Sequence, residues 1–282
     1  MRPRRPGGTV SLANLALVAT VVAVVATGCG AATGARTAPS PSGPAAATAH
    51  LTVLAAASLS SALAEATRAY QSSHAGASFT VATGSSAALR VQIEQGAPAD
   101  VFLSADTVNA RTLVGEGLAV GAAVPFAGNV LTVVVPLANP AGVATPADLA
   151  RPGLRIIAAG SQVPITKYAQ QVVANLARQP GYPADFAARY AANVVSHEDD
   201  VTAVLAKIEL DEGDAAIVYV TDAKTSSKVL TIPIPAAANV PATYAGVVVK
   251  GSAHATAAAG FLSWLAGAEG QAILARFGFL AP

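Results

Sequence analysis

From Leu51 onward the chain repeats one pattern: a short apolar run, a few small or polar residues, then a stretch with apolar positions every three or four residues. "LTVLAA" precedes a helical pattern over 59–72, "SFTVAT" one over 86–95, "DVFLSA" one over 107–117, "LRIIAAG" one over 165–178 and "NVVS" one over 201–210. The runs "NVLTVVVP", "AAIVYV", "VLTIPIP" and "YAGVVVK" read as further strands, and a last helix is predicted to end near Phe277. Leu59, Leu63, Ala66 and Tyr70 share one helix face, as do Val201, Val204, Leu205 and Ile208, the spacing of a stripe packed on a sheet. Gly96 is a natural stop for the short helix before it. Strands alternating with helices predict parallel sheets in an α/β protein.

The roughly 230 residues from Leu51 onward are long for one compact lobe and suit two. "NVLTVVVP" followed by "LANPAGVATPADL" reads as a chain leaving one sheet for another, and the Pro-rich "IPIPAAANVPATY" can carry it back. The expected division is a first lobe from 51–131 plus 238–282, and a second lobe from 132–237. No internal repeat is visible.

Ahead of this region the composition changes. Arg2, Arg4 and Arg5 precede "LANLALVATVVAVVATGC", an apolar run short for a membrane span and basic only on its amino side, as in an export signal. Its end, Ala26-Thr27-Gly28-Cys29, resembles a bacterial lipobox, with Ala26 where a larger aliphatic residue is commoner. Residues 1–28 are therefore expected to be a lipoprotein signal peptide and Cys29 the lipidated first residue of the mature chain. Residues 29–50, rich in Gly, Ala, Ser, Thr and Pro, read as a flexible tether.

With 53% hydrophobic and 12% charged residues, the chain can bury a sizeable core. Cys29 is the only cysteine, so the exported part has neither disulfides nor thiolate metal sites. Losing the three leader arginines leaves 14 basic against 16 acidic residues, a net of −2. No basic face exists for nucleic acid, and any anion site must be local.

Four segments share one design in which a strand ends, small or polar residues follow, and a helix begins: Ala57-Ser58-Leu59, Gly84-Ser85-Ser86-Ala87, Gln162-Val163-Pro164-Ile165 and Asp199-Asp200-Val201. The first helical N–H groups lack intrahelical partners and carry the positive end of the dipole, so several converging make an anion site without a cation. Serines at such points also serve as ordinary N-caps, and pattern alone leaves both roles open. Tyr219 interrupts the aliphatic strand "AAIVYV", and its hydroxyl needs a partner once buried. Glu198, Asp199 and Asp200 read as favourable charges at a helix start, and His50, His74, His197 and His254 are too scattered for a zinc site. An enzyme is poorly supported: "GSSAA" lacks the last glycine of a nucleophile elbow, and "TSSK" at 225–228 begins with threonine where an acylating serine would stand.

"LAAASLSSAL", "GSSAALRVQIEQGAPADVFLSAD", "GNVLTVVVP", "VPITKYAQQVV", "HEDDVTAVLAKIELDEGDAAIVYVTDA" and "FLSWLAGAEGQAILARFGF" together resemble, in order, the molybdate-binding proteins of bacterial molybdenum ABC importers. The resemblance runs from about residue 51 to the C-terminus. It implies a two-lobed periplasmic binding protein of type II, each lobe a mainly parallel sheet flanked by helices, closing over molybdate or tungstate in the cleft between them. A sulfate receptor on the same fold is the alternative. The resemblance further implies hydroxyl donors from Ser58, Ser86 and Tyr219, with Ser85 an alternate for Ser86, and backbone donors from Ile165 and Val201. Ile165 departs from the alanine of some members. No cofactor is implied, and no direct protein ligand to the metal. The implied partners are the permease subunits of an importer and, through Cys29, the outer face of the cytoplasmic membrane; a monomer is expected.

Overall fold

The structure is a computed structural model that describes residues 49–282. The expected signal peptide, Cys29 and the tether up to Thr48 lie outside the described residues. Ala49 and His50, assigned above to the tether, instead open the first strand, where the His50 ring nitrogens bond the Ser78 and Thr80 hydroxyls at 2.9 Å each.

The chain begins with β1 (Ala49–Ala56), a 3-10 turn (Ala57–Leu59), α1 (Ser60–Ser73), β2 (Ala77–Gly84), α2 (Ser86–Glu94), β3 (Val101–Ser104), α3 (Thr107–Gly115) and β4 (Ala119–Asn129). The second lobe follows: β5 (Leu131–Pro136), a 3-10 turn (Pro146–Ala150), β6 (Ile156–Ala159), α4 (Pro164–Leu176), α5 (Phe186–Ala192), β7 (Val194–Glu198), α6 (Val201–Glu209), β8 (Ala215–Tyr219), α7 (Val220–Lys224) and β9 (Val229–Pro233). The chain then returns through β10 (Ala242–Val249), α8 (Ala255–Ala266) and α9 (Ala268–Arg276). One sheet has the order β2-β1-β3-β10-β4 and the other β7-β6-β8-β5-β9.

Both sheets are mixed where mainly parallel ones were expected. The strand–helix–strand units predicted from the alternating pattern pair in parallel, β1 with β2 and β3, and β6 with β7 and β8. The crossing strands supply the antiparallel half: β10 lies against β3 and β4, and β5 against β8 and β9. The first passage between sheets takes only Val130, and the second takes residues 234–241. The central strands β3, β5 and β8 are buried along their whole length, which is why they read as unbroken apolar runs.

The helical stripes behave as predicted: Leu63, Ala66 and Tyr70 of α1 and Val201, Val204, Leu205 and Ile208 of α6 are buried. Gly96 follows α2 with a φ of 89°, a conformation that favours glycine. Three elements had no counterpart in the sequence reading, namely β4, α5 and α7, and the last helix is divided into α8 and α9. Gly270 sits on the backbone of Leu265 so closely that a Cβ would collide with it, which fixes the bend between the two helices.

Candidate functional site

Every strand of the parallel units that points toward the space between the sheets hands over to a helical start there. β1 ends at Ala56 before the turn holding Ser58, and β2 ends at Gly84 before α2; from the other sheet β6 leads to α4, β7 to α6 and β8 to α7. Ligands of open α/β sheets lie beyond these carboxyl ends. Ala56, Ala57, Ser58, Gly84, Ser85, Ser86, Ala105, Val163, Pro164, Ile165, Asp200, Val201 and Tyr219 line one cavity between the two sheets. All six residues singled out as donors, Ser58, Ser85, Ser86, Ile165, Val201 and Tyr219, are thus brought to one place from five separate chain segments. The space between the atoms that line it is about 220 Å3, part of it open to solvent.

No serine here caps a helix through its side chain, although Ser85 stands at the N-cap position of α2: neither the turn at Ala57–Leu59 nor α1 nor α2 receives a side-chain hydrogen bond at its N-cap, so of the two roles left open for Ser58 capping is not the one it takes. Ser58 Oγ lies 2.9 Å from the Tyr244 hydroxyl. Ser86 Oγ accepts from the Ala105 amide at 3.0 Å, which leaves its own proton to be donated elsewhere. Ser86 is 1% and Ser85 8% exposed, so both belong to the cavity wall and Ser86 lies deeper. The Tyr219 hydroxyl is fully buried and has no hydrogen-bond partner among the described residues. A buried, unpaired hydroxyl costs about 1–3 kcal/mol, and Tyr219 is one of the residues that line the cavity.

The backbone is arranged in the same sense. Pro164 occupies the first turn of α4 and has no N–H, so the first amide that helix offers is that of Ile165. Asp200 caps α6 through Oδ1, which accepts from the amides of Thr202 at 2.9 Å and Ala203 at 3.0 Å and leaves the Val201 amide to the cavity. Of the expected helix-start acids only Asp200 caps; Glu198 instead pairs with Lys207 at 2.8 Å. Asp200 is the one charged residue in the lining, and its Oδ1 also accepts the Thr202 hydroxyl at 2.6 Å. No lysine, arginine or histidine lines the cavity. The positive ends of α2, α4 and α6 therefore supply the field for an anion.

Burial raises the Tyr219 and Tyr244 hydroxyls well above the ordinary tyrosine range and Tyr168 to about 12, so all three remain donors at neutral pH. Asp222, one helical turn past Tyr219 and 3% exposed, is pushed up to about 8 by burial, with Asp200 adding to the shift. It is therefore largely uncharged at neutral pH. The arrangement offers hydroxyls and amides to a small acceptor. Among the described residues no group of three His, Cys, Asp or Glu side chains is placed to hold a metal ion.

Ile165 lines the cavity and also a larger apolar pocket beneath α4 and α5, where Val173, Tyr190 and Ile217 are neighbours. Sequence reasoning missed Tyr244, which meets Ser58 from behind, and Asn129, which bonds Tyr244. The signal that singled out Tyr219, a tyrosine inside an apolar strand, applies equally to Tyr244 in "YAGVVVK".

A family model described as bacterial extracellular solute-binding protein matches residues 51–280. The molybdate-binding protein ModA of Mycobacterium tuberculosis strain H37Rv is 34% identical over 244 residues, covering 86% of this chain and 89% of that protein. Among solved structures, the periplasmic molybdate-binding protein of Azotobacter vinelandii superposes with a TM-score of 0.70 at 25% identity, covering 82% of this chain and 99% of the other. The sulfate-binding protein SubI of Mycobacterium tuberculosis gives a TM-score of 0.72 at 21% identity, covering 82% of this chain and 86% of the other, a likeness of fold alone.

Proposed function

The chain belongs to the bacterial extracellular solute-binding proteins, and from that premise we propose that it captures molybdate, and tungstate with it, and delivers the ion to the transmembrane subunits of an ABC importer. The observation that carries this reading is the donor cavity itself: hydroxyls of Ser58, Ser86 and Tyr219 with the Ile165 and Val201 amides, no cation, and an unpaired Tyr219 hydroxyl. Molybdate is a dianion with acceptors only, so a site of pure donors satisfies all its oxygens. Hydrogen phosphate would leave its own O–H without an acceptor, a loss of about 1–3 kcal/mol. Sulfate makes the same demands as molybdate, so cavity size must separate the two. The 34% identity to a molybdate-binding relative favours the larger ion.

The reading is of a receptor and not of an enzyme, which the match to solute-binding proteins supports, and Asp200, the one carboxylate in the lining, is committed to its helix. Thermal melting of the purified protein against molybdate, tungstate, sulfate and phosphate tests the assignment. A ligand at a thousand times its dissociation constant adds about 4 kcal/mol, or roughly 8–16 °C for a domain of this size. A shift with molybdate and tungstate alone is expected; equal shifts with sulfate would remove the selectivity, and no shift with any would remove the function.

Attachment through a lipidated Cys29, supported by the small residues before the sole cysteine, completes the proposal, in which the protein acts as a monomer. Cys29→Ala should move the protein from the membrane to the soluble fraction. Retention in the membrane would mean that another element anchors it.

A further inference from the structure

Behind Ser58 lies a chain of buried polar groups that do not line the cavity. Asn129 closes β4 at the first passage between the sheets and is 1% exposed; Tyr244, on β10, is fully buried; Thr221 is the second residue of α7 in the second lobe, at 2% exposure. Asn129 Nδ2 donates to the Thr221 hydroxyl at 2.8 Å and to the Tyr244 hydroxyl at 3.3 Å, and Tyr244 lies 2.9 Å from Ser58 Oγ.

The direction of this chain follows from one fixed end. The Val130 amide can only donate, and it donates to Asn129 Oδ1 at 3.0 Å, so the amide group of Asn129 must present its NH2 to Thr221 and Tyr244. Tyr244 oxygen then accepts from Asn129, and the single Tyr244 proton is directed to Ser58. Ser58 Oγ accepts it, which leaves the Ser58 proton for the cavity. A serine hydroxyl by itself is equally able to accept. Here its role as donor is set by two residues behind it.

Tyr244 owes its aim to a break in the ladder. The β10–β4 register shifts between Tyr244 and Ala245, opposite Ala127 and Pro125. Pro125 has no N–H to give to the ladder, and a bulge at such a place re-aims the adjoining side chain. Phe126, Phe279 and Tyr219 pack edge-on against the Tyr244 ring at centroid distances of 6.2, 5.4 and 5.7 Å and hold it there.

We infer that Asn129 and Tyr244 are positioning residues that polarise Ser58 as a donor, so that the site prefers oxyanions bearing no proton, with Thr221 of the second lobe taking the other proton of the Asn129 amide group. This rests on the oxyanion reading of the cavity and adds to it the source of the discrimination.

The test is a double-mutant cycle read by titration calorimetry with sodium molybdate, using Tyr244→Phe, Ser58→Ala and the pair. Tyr244→Phe removes one hydroxyl and keeps the ring. It is expected to weaken molybdate about tenfold in the otherwise unchanged protein and to have little further effect once Ser58 is alanine. Hydrogen phosphate supplies a second readout: Ser58 freed to accept should take its proton, so the ratio of molybdate to phosphate affinity falls in Tyr244→Phe. Losses that multiply across the cycle overturn the relay, and so does an unchanged molybdate-to-phosphate ratio in Tyr244→Phe. If the unsubstituted protein binds none of molybdate, tungstate or sulfate, the functional reading fails and the relay with it; if it binds and only the cycle is additive, the relay alone fails.

Discussion

Tyr219 and Asp222 stand one helical turn apart, both buried, and each carries an oxygen with no hydrogen-bond partner among the described residues. Their chemistry separates them. The tyrosine keeps its proton at any ordinary pH, whereas Asp222, raised from 3.8 to about 8, changes charge within the working range. Because its folded value lies above its unfolded one, the folded state holds a proton that the unfolded chain has released between these limits. Stability therefore falls as pH rises from about 4 to about 8 and levels off above. Asp222→Asn should leave the melting midpoint nearly unchanged at pH 4 and raise it by several degrees at pH 8. A difference independent of pH would place the proton elsewhere. A neutral Asp222 also suits an anion site, since a carboxylate near Tyr219 and Tyr244 would repel a dianion.

Among the elements, the division of the C-terminal helix shows how a single backbone approach overrides a continuous apolar pattern. α8 packs Ala258, Phe261, Leu262 and Leu265 inward, and α9 packs Ile273 and Leu274. A straight helix would carry these two sets apart; the turn at Gly267, with Gly270 against Leu265, keeps both on the first sheet. The obstacle to a side chain at Gly270 is backbone, which cannot swing aside. Gly270→Ala is accordingly expected to cost about 1–3 kcal/mol in a denaturant titration, despite alanine's better helix propensity. A gain in stability would show that the two helices can separate freely. The helices at the cavity are arranged otherwise: α4 and α6 bury their stripes in the second lobe and leave only their first amides to the site.

For the whole molecule, the two passages between the sheets are each bonded to the second lobe. Val220 N–H donates to the Val130 carbonyl at 2.9 Å, and the Asn239 side chain both accepts from and donates to the Leu131 backbone, at 3.1 and 2.8 Å. These bonds lie at or beside the segments that a hinge would use, while the cavity wall is shared between lobes without a covalent link. Ligand contacts to both lobes then favour the closed arrangement by their differential affinity for it. Small-angle scattering should give a smaller radius of gyration with saturating molybdate than without it. Equal radii would mean that the lobes do not move, and that the ion enters by a local route.

Much of this was legible in the sequence because it is local. The alternation of periods two and 3.6 announces the strand–helix units, and small polar residues between them mark the helical starts that an anion can use. The segments around Ser58, Ser86, Ile165 and Val201 were legible in this way as helical starts, whereas their roles as donors, and that of Tyr219, were implied only by the resemblance to the molybdate-binding proteins. β4 escaped notice because Gly121 and Pro125 interrupt it, and its edge position leaves half of it exposed. The antiparallel half of each sheet escaped because pairing direction depends on where a crossing strand returns. Only the tertiary structure decided that Ser58 turns away from its helix toward Tyr244, 186 positions later in the chain, and that Asn129 stands behind both. A hydroxyl donates or accepts according to its neighbours in space, and those neighbours come from segments whose spacing in sequence carries no trace of their meeting.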